Sequence, residues 1–115
     1  MVPLDLAAEA LQAEVLVGAD LLAGRTASGG YACDMLSWVM AHAQPGDIWM
    51  TILNSINVIA VAVLTDCAAV LLTEDVDLPP DVAARAAQKG IVVLRTPLST
   101  YQACARLAEL LRNTL

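Results

Sequence analysis

Asp47-Ile48-Trp49-Met50-Thr51-Ile52-Leu53-Asn54-Ser55-Ile56-Asn57-Val58-Ile59-Ala60-Val61-Ala62-Val63-Leu64-Thr65-Asp66 carries no charge between its two aspartates. That 18-residue gap reaches the length of a membrane span. Its interior excludes one. Asn54, Ser55 and Asn57 sit near the middle, where amides in hydrocarbon are costly, and Ile48 to Ile52 has the pattern of a strand rather than a helix. The run reads as strand, polar turn and a buried helix from about Ser55 to Leu64. Ile56, Val58, Ile59, Val61, Val63 and Leu64 cover nearly the whole circumference of that helix, and a helix apolar all round is buried on several sides. One of those sides is expected to face a second copy of the chain.

The same alternation continues outward. Ala68 to Thr73 reads as a second strand, followed by a helix from about Pro80 to Lys89 whose proline and Asp81 suit the first turn, with Gly90 just beyond its end. Ile91 to Leu94 is a third strand, and Ser99-Thr100-Tyr101-Gln102 is a capping-box pattern opening a final helix with Tyr101, Cys104, Leu107, Ala108 and Leu111 as its core stripe. On the N-terminal side, Asp34 reads as the N-cap of a helix over 35–43, which Pro45-Gly46 ends. Pro3 to Leu11 reads as a short helix and Glu14 to Gly18 as a short strand; Asp20 to Gly30 reads as irregular. The expected fold is α/β: a small, mostly parallel sheet with helices on both faces, built as three consecutive βα units after an N-terminal helix-strand segment. Ligands in such sheets bind beyond the carboxyl ends of the strands, here residues 51–57, 73–77 and 95–100.

At 115 residues the chain is expected to form one domain over its whole length, residues 1–115, with a folded accessible area of roughly 6,000 Å². A 58% hydrophobic and 16% charged composition excludes disorder. Twelve acids against six bases give a net charge of -6, and the five arginines are scattered. Nucleic acid and anionic membrane surfaces are therefore excluded as partners. The N-terminal residues lack the pattern of a secretory signal, so a cytoplasmic location is expected. Cys33, Cys67 and Cys104 are odd in number and far apart, and read as buried thiols. No motif calls for a metal or a cofactor.

Neither a G-x-x-x-x-G-K-[ST] loop nor a G-x-G-x-x-G fingerprint occurs, so kinase chemistry of the P-loop kind is not supported. No catalytic residue is assigned. His42 lies at the end of its helix without a serine or cysteine partner. Glu74, Asp75, Asp77 and Asp81 form an acidic run that either holds a divalent cation or complements the next helix N-terminus. Gly29 and Gly30 form a turn before Tyr31 or let backbone approach a ligand. Arg95-Thr96-Pro97-Leu98-Ser99-Thr100 unites a guanidinium, hydroxyls and a helix N-terminus, a set suited to phosphate or carboxylate. The ligand-binding candidates are Arg25, Gly29, Gly30, Thr51, Asn54, Asn57, Arg95, Thr96, Ser99 and Thr100.

Across nearly its full length the chain resembles a stand-alone DRTGG domain, a module related to the N-terminal domain of HPr kinase/phosphorylase. The resemblance is carried by Gly29-Gly30-Tyr31, by Asp34 to Ala43, by Gly46-Asp47-Ile48-Trp49-Met50-Thr51, by Asn57-Val58-Ile59-Ala60-Val61-Ala62 and by Thr96-Pro97-Leu98-Ser99-Thr100. The naming motif departs from the family pattern: Gly24 stands where its acid is expected, and Ala27-Ser28 separate Arg25-Thr26 from the glycines. Ser55 stands where similar proteins tend to carry a histidine. The resemblance implies a regulatory or scaffolding domain without catalysis of its own; with the apolar 55–64 helix and the polar strand ends, the expected function is a non-catalytic regulatory module, homodimeric, taking a nucleotide or phosphorylated metabolite. The alternative is an adaptor that binds a metabolic or redox enzyme and has no small-molecule ligand.

Overall fold

The computed structural model describes residues 1–114. Val2–Pro3 (β1) leads into Leu4–Ala10 (α1), followed by Glu14–Val17 (β2), Thr26–Ala27 (β3) and Gly29–Ala32 (β4). Leu36–His42 (α2), Asp47–Thr51 (β5), Ile56–Thr65 (α3), Ala69–Leu72 (β6), Pro80–Lys89 (α4), Val93–Arg95 (β7) and Thr100–Asn113 (α5) complete the chain. The main sheet has the order β2-β7-β6-β5-β4. Strands β4 to β7 are parallel, and β2 joins β7 antiparallel at one edge. β1 and β3 form a separate antiparallel ribbon.

Each strand from β4 to β7 is laid beside its predecessor in one direction. Crossovers of a single hand then put α2, α3 and α4 on the same face, leaving the other to α1 and α5. The side chains follow the two-residue period of a strand. Ile48, Met50, Leu71 and Leu94 enter the core beneath α1 and α5, while Trp49, Val70, Leu72 and Val93 enter the core beneath the other three helices. All five residues of β5 are buried. Trp49 is the largest wholly buried side chain, and its indole N–H donates to the Cys33 carbonyl at 2.9 Å. The described residues expose 5855 Å², close to the area expected from chain length. None of their helices is long and apolar enough to cross a membrane, because the uncharged run is divided between β5, a turn and the ten residues of α3.

Several local expectations are corrected. Asp34 does not cap α2; Met35 holds that position, and the Asp34 carboxylate instead accepts from Thr51 Oγ1 at 2.8 Å and from the Ile52 amide at 3.0 Å. It ties the end of β4 to the end of β5. Gly29 and Gly30 are not a turn but the start of β4, paired with Asp47 and Ile48. Gly30 is small because α5 lies on it: a Cβ there would stand 2.7 Å from a Leu107 methyl and 3.0 Å from the Met50 methyl. Tyr101 is 83% exposed, since the buried face of α5 is set by Ala103 and Leu107, and a residue two positions before Ala103 is turned about 200° away. The third strand starts at Val93 rather than Ile91. The expected capping box is present, with Ser99 and Gln102 satisfying one another's amides.

Thr96 is fully buried, donating to the Leu11 carbonyl at 2.7 Å and accepting from the Leu98 amide at 3.2 Å. Thr96→Val keeps the shape and leaves both backbone groups short of a partner. It should cost about 1–3 kcal/mol, read as a lower urea midpoint at unchanged slope.

Burial pushes the Cys67 thiol from its ordinary value of 9.0 up to about 11, against smaller opposing effects of the Thr65 side chain and the Arg25 charge. The unfolded chain releases this proton first. The thiol's contribution to stability is thus whole below pH 9 and lost as pH rises toward 11. Wild type should lose more stability than Cys67→Ala across that interval in denaturant titrations.

Candidate functional site

Parallel pairing gathers the carboxyl ends of β5, β6 and β7 on one rim, and most of the expected ligand groups are there. Thr51 closes β5, Asn54 lies in the turn that follows, and Asn57 is exposed in the first turn of α3. Arg95 closes β7, and Thr96, Ser99 and Thr100 lead into α5. Asn54 and Arg95 meet on a shared residue. The Asn54 amide donates to the Asp77 carbonyl at 2.8 Å, and an Arg95 nitrogen donates to the Asp77 carboxylate at 2.8 Å.

The chemistry of that rim differs from the expectation of an anion site, because the protein's own carboxylates occupy it. Arg95 is within 3.1 Å of Glu14, 3.7 Å of Asp75 and 2.8 Å of Asp77. One positive charge faces three negative ones, so a further anion is repelled rather than attracted. The N-terminus of α5 is taken as well: the Thr100 amide donates to Glu74 at 2.9 Å and the Gln102 amide to the Ser99 hydroxyl. Thr73 and Thr100 share a hydroxyl contact at 2.6 Å, Thr51 is bonded to Asp34, and Thr96 to Leu11. Of the expected ligand groups here, Asn57 alone has neither burial nor a side-chain hydrogen bond among the described residues.

The loop that delivers those acids is held in an uncommon backbone shape. Glu74 and Asp75 have φ values of 59° and 58°, in the left-handed region that side-chain-bearing residues seldom adopt. Backbone bonds from Glu74 to the Leu98 carbonyl and from Asp75 to the Thr96 carbonyl, 2.9 and 3.0 Å, hold the loop against the strain. Three acids of the run seen in the sequence are thus spent on Arg95 and on the α5 N-terminus, while Asp81 lies in the first turn of α4. His42 is elsewhere, on the exterior of α2, with Nδ1 at 2.9 Å from the Trp38 carbonyl and its ring stacked on Trp38 at 4.3 Å.

Arg25 and Gly29 are on the opposite rim, at the amino ends of the parallel strands. Gly29 is the first residue of β4, and Gly30, next to it, packs under α5. Arg25 and Lys89 both line a cavity of about 450 Å³, and the Arg25 guanidinium donates to the Gly90 carbonyl at 3.4 Å. Lys89 carries no ligand motif in the sequence, where it reads as the complement of its helix end. Only the pairing of Arg25 with a residue 65 positions away brings the two cations to one place. The candidate residues therefore form two groups, at opposite ends of the strands.

A family model for the DRTGG domain matches residues 7–110. Among solved structures, the chain is similar to the crystal structure of the CBS and DRTGG domains of the regulatory region of Clostridium perfringens pyrophosphatase, complexed with the activator diadenosine tetraphosphate. The TM-score is 0.70 at 18% identity, over 92% of this chain and 45% of that one. The chain thus spans less than half the length of that structure, and the likeness concerns the fold. No curated protein matches it. The family match runs from α1 through the sheet and both helical layers into the last turns of α5, and on that ground the chain belongs to the DRTGG domain family.

Proposed function

We propose that the chain is a cytoplasmic, non-catalytic regulatory module that pairs with a second copy of itself and senses a small anionic ligand of the nucleotide or phosphorylated-metabolite class. The observation that carries the pairing is the outer surface of the α2–α3 layer. Helix α3 buries Val58, Ile59, Val61 and Ala62 against the sheet, yet Leu64 on its other side is 69% exposed, with Val63 and Ile56 also open. Met35 and Trp38 add exposed apolar area on the neighbouring segment. A cluster of large apolar side chains on one helical layer is the usual mark of a protein contact. Family membership supports the regulatory role, and the nucleotide activator in the pyrophosphatase structure supports the class of ligand.

Sedimentation equilibrium at micromolar concentration should give twice the chain mass for wild type. Leu64→Glu, at an exposed position, should give the mass of one chain while its melting temperature at high dilution matches wild type. A wild type that sediments as a monomer throughout this range removes the paired module and leaves the apolar surface to the adaptor reading.

A further inference from the structure

The cavity between Arg25 and Lys89 has the properties of an anion site that the carboxyl rim lacks. Gly24, Arg25, Thr26, Asp66, Lys89 and Gly90 contribute its polar wall, and its 450 Å³ is in the size range of small-ligand pockets. In a chain with twice as many acids as bases, two of the six bases line one hollow. Among the described residues, neither is within ion-pair distance of a carboxylate, whereas Arg95 has three such partners. Asp66 is the one acid on the wall, so the lining carries two positive charges against one negative.

The backbone keeps the mouth open. Gly24 and Gly90 have φ values of 81° and 68°, and a Cβ built on either meets no heavy atom within 4 Å. Both glycines thus turn an empty side toward solvent. The Arg25 guanidinium is held by the Gly90 carbonyl, one residue from Lys89, leaving its other N–H groups for a ligand. The C-terminal ends of α3 and α4 also meet this wall and their dipoles oppose an anion, so the two cations act against them as well as against Asp66; one carbonyl at each end is engaged. Asp66 O accepts from the Gly46 amide at 3.0 Å and Gly90 O from Arg25. A guanidinium fork beside a mobile ammonium suits neighbouring phosphoryl groups better than a single carboxylate.

We propose that this cavity binds a diphosphate group, held between the Arg25 guanidinium and the Lys89 ammonium. The inference rests on the reading that the module senses an anion, and it moves the sensing site from the carboxyl rim to the amino rim. Inorganic pyrophosphate and the diphosphate of a nucleotide share the phosphoryl oxygens that this wall would meet.

Calorimetry of the full chain with inorganic pyrophosphate and, separately, with ADP tests it. Both probes should bind, more weakly as salt rises. Lys89→Gln and Arg25→Ala should each weaken binding about tenfold or more, the loss expected for a charge-assisted contact. Arg95→Ala should leave it unchanged. Asp66→Asn should tighten binding several-fold, an effect a misfolded variant cannot imitate; asparagine also tolerates the φ of 54° found there. Tighter binding of ADP than of pyrophosphate identifies the nucleotide as the source, and equal binding identifies the inorganic ion. Failure of wild type to bind either probe overturns the site. So does binding of ADP that survives Lys89→Gln and ignores Asp66→Asn, although nucleotide sensing itself would then stand. Sedimentation decides the paired module independently of both.

Discussion

Trp49 and Met50 point to opposite sides of the sheet, and neither side can be left to water. One requires a layer of helices that covers an indole, the other a layer that covers a thioether, and only crossovers that alternate with strands supply both in a chain of this length. Three successive crossovers cover the Trp49 side, which leaves α1 and α5, at the two ends of the chain, to cover the other. Thr96 and Leu11 fasten those ends together through a buried hydrogen bond. Parallel strands then sort every loop onto one of two rims.

The two rims have opposite electrostatic roles. At the carboxyl rim, Glu74 stands where a bound anion would meet the N-terminus of α5, and Asp75 and Asp77 stand where it would meet Arg95. The protein has answered the positive features of that rim with its own side chains, holding two residues at left-handed φ to do so. At the amino rim, Arg25 and Lys89 have no such answer among the described residues. The residues that resemble the family's naming motif, Gly24-Arg25-Thr26 and Gly29-Gly30, lie toward this second rim.

Elements whose pattern is local were legible in the sequence. Pro80 to Lys89 with Gly90 beyond it, the Ser99–Gln102 box, and the strand-turn-helix division of residues 47–65 all depend on neighbours within a few positions. Contacts made across the sheet were not. Asp34 looks like a cap until β5 places Thr51 and Ile52 beside it. Gly29-Gly30 looks like a turn until α5 is laid over Gly30. The guanidinium, hydroxyls and helix end at 95–100 suggested an anion site because nothing in that segment announces Glu14, which is 81 residues from Arg95. Lys89 reads only as the end of its helix for the same reason, since Arg25, which shares its cavity, is far away in the chain.

The chain's only two tryptophans occupy contrasting surroundings. Trp49 is sealed between β-strands and helices with its N–H satisfied, while Trp38 is 53% exposed and lies against the ring of His42. Their emission should therefore separate spectrally, the sheltered indole to the blue and the wetted one to the red.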